Sequence, residues 1–226
     1  VFSDRWHSSK EEAFHLLNIT VSTVSVFMLV VCAVVMATSL GVGYFVASGS
    51  FVLCESLAII MPFMILICST AIYGGALQSL AVFAPPAFAP VVMNLMFVAC
   101  GAVLFFVNDN YLRLLILSYV VILTGFAQLG IQLVPLRKLG YVPQFVIDWK
   151  HPGFREMLKL FAPLVVAAAV IQFNEILDYV IVKLFVADEG AVSHLYYANR
   201  LIQLPIGVLA VSLATVIFSK LSVESA

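Results

Sequence analysis

The sequence predicts an all-α, polytopic membrane helix bundle. Of its 226 residues, 63% are hydrophobic and only 10% are charged, whereas about 25% of the residues in soluble globular domains are charged. Several separate apolar runs reach the roughly 20 residues that a helix needs to cross a membrane. None of these runs alternates with the period of two that a barrel strand shows. We therefore expect about six transmembrane helices.

Three of the predicted spans lie in the first half of the chain. Residues 16–38 form the first, and the glycines and serines of the following SLGVGYFVASGS stretch indicate a loop or a partly inserted turn. The second covers about residues 52–78 and contains Pro62, which lacks an N–H group and predicts a kink. The third begins with three prolines, which a first helical turn tolerates, and continues to about Val107.

The second half of the chain contains the other three spans. Residues 112–134 form the fourth, and residues 135–156 then make a connection with the aromatic and basic side chains that are typical of a membrane interface. The fifth span covers residues 157–186. After the turn ADEGAVS, the sixth extends to about Ser219.

Basic residues are distributed unevenly between the two sides of this predicted bundle. One side carries Arg113, and the other carries the bases of both chain ends and of the connection: Arg5, Lys10, Arg137, Lys138, Lys150, Arg155, Lys159 and Lys220. Positive charge is retained on the cytoplasmic side of a membrane. We therefore expect both termini to be cytoplasmic. The polar opening and the abrupt ending predict a fragment of a longer protein.

No motif for chemistry emerges from the sequence. The four cysteines form no C-x-x-C pair and have no histidine cluster near them, so neither a metal site nor a disulfide framework is indicated. The sequence contains no P-loop, no H-E-x-x-H motif and no glycine-rich nucleotide fingerprint. We therefore predict no cofactor, no metal and no nucleic-acid partner.

Arg200 lies inside the last apolar stretch, HLYYANRLIQLPIGVLAVSLATVIFSK, and has two interpretations. Residues 201–219 are almost long enough to cross alone, which would place Arg200 at the outer interface beside Tyr196 and Tyr197. If the helix instead extends outward from residue 191, Arg200 lies at a depth where a charge is costly unless it faces water, a partner or a ligand. Arginine binds phosphate through two hydrogen bonds, so this second interpretation predicts a polar cavity for an anion.

The fifth span carries a second polar group. Asn174, Glu175 and Asp178 occupy an arc of roughly 100° on one face of the helix. They are therefore expected to share one interior or cavity wall. The alternative is that Glu175 or Asp178 pairs with a cation on a neighbouring helix.

Two stretches resemble a known family. GALQSLAVFAPPAFAPVVMNL and GAVSHLYYANRLIQLPIGVLAVSLATVIFSKLS are similar to segments of the MurJ/MviN lipid II flippases, and the second match is the more specific. The resemblance implies a two-lobed, fourteen-helix exporter of the multidrug/oligosaccharidyl-lipid/polysaccharide superfamily. This chain would be its central fragment, from the third to the eighth helix. Residues 1–134 would then belong to the first lobe, residues 135–156 would be an amphipathic cytoplasmic connection, and residues 157–226 would begin the second lobe.

The resemblance also implies a function. Such a protein moves undecaprenyl-pyrophosphate-linked muropeptide across the bacterial cytoplasmic membrane by alternating access, without covalent chemistry, so it is a transporter and not an enzyme. Arg200 matches the family's cavity arginine, which attracts the pyrophosphate, and Asn199 stands where some members carry Asp. Pro62 and Pro205 are expected to permit helix bending. The partners implied are the lipid-linked oligosaccharide and membrane lipids, and the sequence does not identify a coupling ion.

Three alternatives remain open at this stage. The first is an exporter of another polyprenyl-linked polysaccharide. The second is an intramembrane enzyme that uses Glu175 and Asp178 as acid and base on a lipid phosphate, which requires a metal or a nucleophile nearby. The third is a membrane scaffold without transport activity, in which Arg200 would only be an interfacial anchor.

Overall fold

The protein consists of helices joined by short connections. The computed structural model describes residues 2–45, 51–186, 190–203 and 205, and none of these residues is in a β-strand. The helices are α1 (Phe2–Ser8), α2 (Lys10–Phe45), α3 (Phe51–Ile60), α4 (Phe63–Ser79), α5 (Ala84–Leu104), α6 (Asn110–Lys138), α7 (Pro152–Phe185) and α8 (residues 191–203). The predicted all-α fold class is confirmed.

Five stretches of the described chain are long and apolar enough to cross a membrane: Lys10–Gly41, Cys54–Ser79, Ala84–Leu104, Asn110–Lys138 and Pro152–Phe185. They coincide with the first five predicted spans. The sixth predicted span begins as α8, and the rest of it, apart from Pro205, lies outside the described residues.

The loop predicted to begin at Ser39 is wrong for residues 39–45, because α2 continues to Phe45. Glycines and serines mark loops in water, but a backbone in hydrocarbon can satisfy its polar groups only by staying helical. The hydroxyl of Ser39 donates to the carbonyl of Val35 at 2.6 Å, so it also finds its partner within the helix. Residues 46–50 of the predicted loop lie outside the described residues.

The second span is interrupted where the sequence predicts a kink. Helix α3 ends at Ile60 and α4 begins at Phe63. Pro62 has no N–H group to donate to the preceding turn, so the helical hydrogen-bond ladder cannot pass through it. The carbonyl of Met61 accepts a hydrogen bond from Sγ of Cys32 on α2 at 3.1 Å. The break is therefore held by a neighbouring helix.

The described chain packs as two compact units, Val1–Lys159 and Leu160–Ala226. In the first unit, α6 packs against α3, α4 and α5, and α2 packs against α1, α3 and α4. The core of that unit is a buried cluster made of Leu17, Tyr73, Ala76, Leu77, Leu136 and Tyr141. In the second unit no described residue is buried. The predicted division into lobes at residues 134 and 157 stays a prediction.

An extended segment, residues 141–148, follows α6 and is bound to α2 by polar side chains. The Asn18 amide donates to the carbonyl of Val142 at 3.2 Å, and its oxygen accepts from the backbone N–H of Gln144 at 3.1 Å. One turn later, the Ser22 hydroxyl donates to the carbonyl of Gln144 at 3.4 Å and accepts from the N–H of Val146 at 3.1 Å. Two side chains of α2 thus bind this backbone much as a neighbouring strand would.

Tyr141 completes this arrangement. Its hydroxyl donates to the Asn18 oxygen at 2.5 Å and lies 3.3 Å from the hydroxyl of Tyr73 on α4. Burial, followed by the contact with Tyr73, raises the pKa of the Tyr141 phenol well above its ordinary value, so it remains a hydrogen-bond donor at neutral pH. The connection is therefore anchored to two spans of the first unit.

Replacing Asn18 with Leu is expected to release this segment, because the Tyr141 hydroxyl and the backbone N–H of Gln144 would both lose the Asn18 oxygen as their acceptor. The Tyr141 hydroxyl is buried, and a buried group that loses its partner costs about 1 to 3 kcal/mol. Hydrogen–deuterium exchange should show faster exchange of the amides of Gln144 and Val146. Ser39→Ala is the control, since the described Ser39 hydroxyl bonds only carbonyls of its own helix. Unchanged exchange in Asn18→Leu would contradict the anchoring.

Gly125 is a point of close approach between α6 and α4. A Cβ atom added at Gly125 would lie 2.8 Å from Phe63 and 2.9 Å from Leu66. Helices in membranes associate through such small residues, which allow the backbones to approach.

Gly125→Ala is therefore expected to lower thermal stability in detergent, at a cost of about 1 to 3 kcal/mol from overpacking. Gly130→Ala on the same helix is the matched control, because an added Cβ there would meet nothing within 4 Å. Equal unfolding temperatures for the two variants would show that the α4–α6 contact does not limit stability.

Candidate functional site

Helix α8 presents one polar face. Tyr196, Asn199, Arg200 and Gln203 follow each other at intervals of three, one and three residues. Residues three and four apart lie on the same side of a helix, so these four side chains form a single strip. The strip occupies part of the last apolar stretch that the sequence singled out.

Helix α7 supplies the facing side chains. Glu175 and Tyr179 are one turn apart and are partly shielded, whereas Asn174 and Asp178 are exposed. Together with the strip on α8, Glu175 and Tyr179 line a cavity of about 220 Å³ within the second unit. We call this cavity the α7–α8 pocket.

The guanidinium of Arg200 is oriented by Tyr196. Its Nε donates to the Tyr196 hydroxyl at 3.2 Å, and its central carbon lies 5.3 Å from the centre of the same ring. Arginine has five N–H donors in a fixed plane. The contact with Tyr196 uses one of them and fixes the orientation of the others, which suits the two-pronged binding of a phosphate.

The carboxylate of Glu175 is held by its own helix. Nε2 of Gln172 donates to Oε2 of Glu175 at 3.1 Å. Glu175 and Arg200 line the same pocket, and these two described residues do not form an ion pair. The pocket therefore contains one positive and one negative group, together with two phenols and two amides that can donate or accept hydrogen bonds.

The structure brings together Glu175, Asn199 and Arg200 of the five predicted binding residues. Asn174 and Asp178 do not line the pocket. The pocket lies on the side of α7 between Glu175 and Tyr179, and at 100° per residue Asp178 is roughly 80° and Asn174 roughly 120° from that direction. Asn174 and Asp178 therefore point away from this pocket, and a binding role for them stays a prediction.

Sequence reasoning did not select Tyr179, Tyr196 or Gln203 as site residues. Their spacing from the predicted site residues could have indicated them. Tyr179 is four residues after Glu175, Tyr196 is four residues before Arg200, and Gln203 is three residues after Arg200. Positions at these intervals share a helix face.

Pro205 is helical and exposed, but residue 204 and residues 206–226 lie outside the described residues.

The whole chain matches a family model. Residues 1–226 match the model described as "Lipid II flippase MurJ". The chain belongs to the MurJ lipid II flippase family. Membership agrees with the five long apolar helices, and the protein is a multi-pass protein of the inner membrane.

Several curated proteins are similar to this chain. The "Lipid II flippase MurJ" of Burkholderia cenocepacia is 33% identical over 213 residues, which are 89% of this chain and 40% of that protein. The "Probable lipid II flippase MurJ" of Buchnera aphidicola is 31% identical over 74% of this chain and 32% of its own length. The Vibrio cholerae protein of the same description is 32% identical over 78% of this chain and 33% of its length. The chain thus spans a third to two fifths of these relatives.

Proposed function

We propose that this chain is part of a transporter that moves lipid II, the undecaprenyl-pyrophosphate-linked muropeptide, across the bacterial cytoplasmic membrane. Family membership supports the reaction, since the relatives' names describe lipid II flippases. In such a protein the ligand is translocated and no covalent bond changes. The α7–α8 pocket supports a contact with the anionic part of the ligand.

One observation carries this proposal. Arg200 lines a polar pocket between two helices and makes no ion pair with the carboxylate that shares it. A guanidinium in an apolar membrane protein needs water, a partner or a ligand to offset its cost, and a pyrophosphate provides oxygens for bidentate binding. Asn199 and Gln203 add amide donors to the same face.

Alternating access would require the helices around this pocket to bend or tilt. Pro62 interrupts the second span, and Pro205 follows the polar strip of α8. We assign both as hinge positions, because a proline removes a hydrogen bond that would otherwise resist bending. The excess of bases at the chain ends and in the connection supports an orientation with both ends cytoplasmic.

The pyrophosphate role of Arg200 is testable by complementation of a strain depleted of its flippase. With the chain in its full-length context, Arg200→Ala and Arg200→Lys are both expected to lose growth support at normal membrane abundance. Lysine is a point charge and cannot reproduce the planar, two-pronged contact.

Arg137→Ala is the matched control. Arg137 is an exposed base in the last turn of α6, outside the pocket, and its replacement should leave growth support intact. Full growth support by both Arg200 variants would show that Arg200 is an interfacial anchor.

The orientation is testable by labelling introduced cysteines with a membrane-impermeant maleimide. Lys150→Cys lies in the connection and Asn108→Cys lies between α5 and α6. We expect the reagent to label Lys150→Cys in inside-out vesicles and Asn108→Cys in right-side-out vesicles. Background from the four native cysteines is measured with the unsubstituted protein. The reverse pattern would overturn the assigned orientation.

A further inference from the structure

The α7–α8 pocket places a carboxylate beside the cation that is proposed to bind the ligand. Glu175 on α7 and Arg200 on α8 both line this cavity of about 220 Å³, and they do not form an ion pair. Gln172 holds the Glu175 carboxylate through its Oε2 atom, while Tyr196 holds the guanidinium. Each charge is thus held by a residue of its own helix, and both line the pocket and interact electrostatically across it.

We propose that the Glu175 carboxylate repels an anion bound at Arg200. An anionic ligand then binds this pocket more tightly once the carboxylate has taken up a proton. This inference rests on the proposed function, in which Arg200 contacts a pyrophosphate. It adds that binding is coupled to the protonation of one neighbouring side chain.

The size of the pocket determines how strongly the Glu175 carboxylate weakens the binding of an anion. A cavity of this volume is roughly 7 to 8 Å across, so a bound anion lies within about that distance of the Glu175 carboxylate. At an effective dielectric constant between about 20 and 80, repulsion at that separation weakens binding by roughly tenfold. Protonation of the carboxylate removes this repulsion and leaves the attraction to Arg200 unchanged.

The other groups in the pocket do not titrate in the same range. Besides Glu175, the titratable groups facing the cavity are the phenols of Tyr179 and Tyr196 and the guanidinium of Arg200. Between neutral and acidic pH, a phenol stays neutral and a guanidinium stays charged. Asn199 and Gln203 do not titrate. Among the described lining residues, Glu175 is the one carboxylate, so it is the group whose negative charge a proton can remove.

The test measures the dissociation constant of inorganic pyrophosphate, by phosphorus NMR, with the purified full chain in detergent. Glu175→Gln keeps the shape of the side chain and mimics its protonated form. At about pH 7.5 we expect Glu175→Gln to bind pyrophosphate roughly tenfold more tightly than the parent chain. The ratio should shrink towards one as the pH is lowered and the carboxylate takes up a proton. Taking the ratio at each pH removes the part of the probe's own titration that affects both chains equally.

The control variants separate the two claims. Glu156→Gln removes an exposed carboxylate from the first turns of the same helix, outside the pocket, and should leave the dissociation constant unchanged. Arg200→Ala should abolish binding, and undiminished binding by this variant would overturn the proposed function. If Arg200→Ala loses binding while Glu175→Gln and a second neutral variant, Glu175→Met, bind as the parent does at every pH, the proposed function stands and this inference is wrong. Weaker binding by Glu175→Gln would also overturn it.

Discussion

The absence of hydrogen-bond partners in hydrocarbon is the constraint on which this structure depends. It explains why α2 continues through a stretch rich in glycine and serine. It also explains why some buried hydroxyls bond their own helix, as when Thr124 donates to the carbonyl of Val120 at 2.7 Å. Polar groups that cannot be satisfied in this way must find a partner on another segment, and those partners define the informative parts of the molecule.

Two sites of the described chain contain such contacts between segments. In the first unit, the Asn18 amide donates to the carbonyl of Val142 and accepts from Tyr141 and Gln144, so it binds the connecting segment to α2. In the second unit, Arg200 has Tyr196 as its partner and shares a cavity with Glu175. In the first arrangement, the polar groups of the protein bond one another. The second leaves guanidinium donors directed at a cavity, which is what a binding site for an anion requires.

The sequence predicted these features unequally, for physical reasons. Span positions follow from the length of apolar runs, so the five described spans were found. The shared helix face of Glu175 and Tyr179 was within reach, because helical spacing places them one turn apart. Their position beside Arg200 depends on how α7 and α8 pack, which the spacing within one helix does not show. The anchoring of residues 141–148 was not, since Asn18 and Val142 are 124 positions apart and no local pattern connects them. The helical state of residues 39–45 was missed because loop propensities describe chains in water.

The central claim is that the α7–α8 pocket receives the anionic part of a lipid-linked glycan. Its most direct test is photo-crosslinking in cells, with a photoreactive amino acid replacing Gln203 in the pocket or Val98 on the exposed apolar surface of α5. We expect an adduct carrying the glycan and its pyrophosphate from position 203, and only phospholipid adducts from position 98. Equal capture of ordinary phospholipid at both positions, with no glycan adduct at 203, would contradict it.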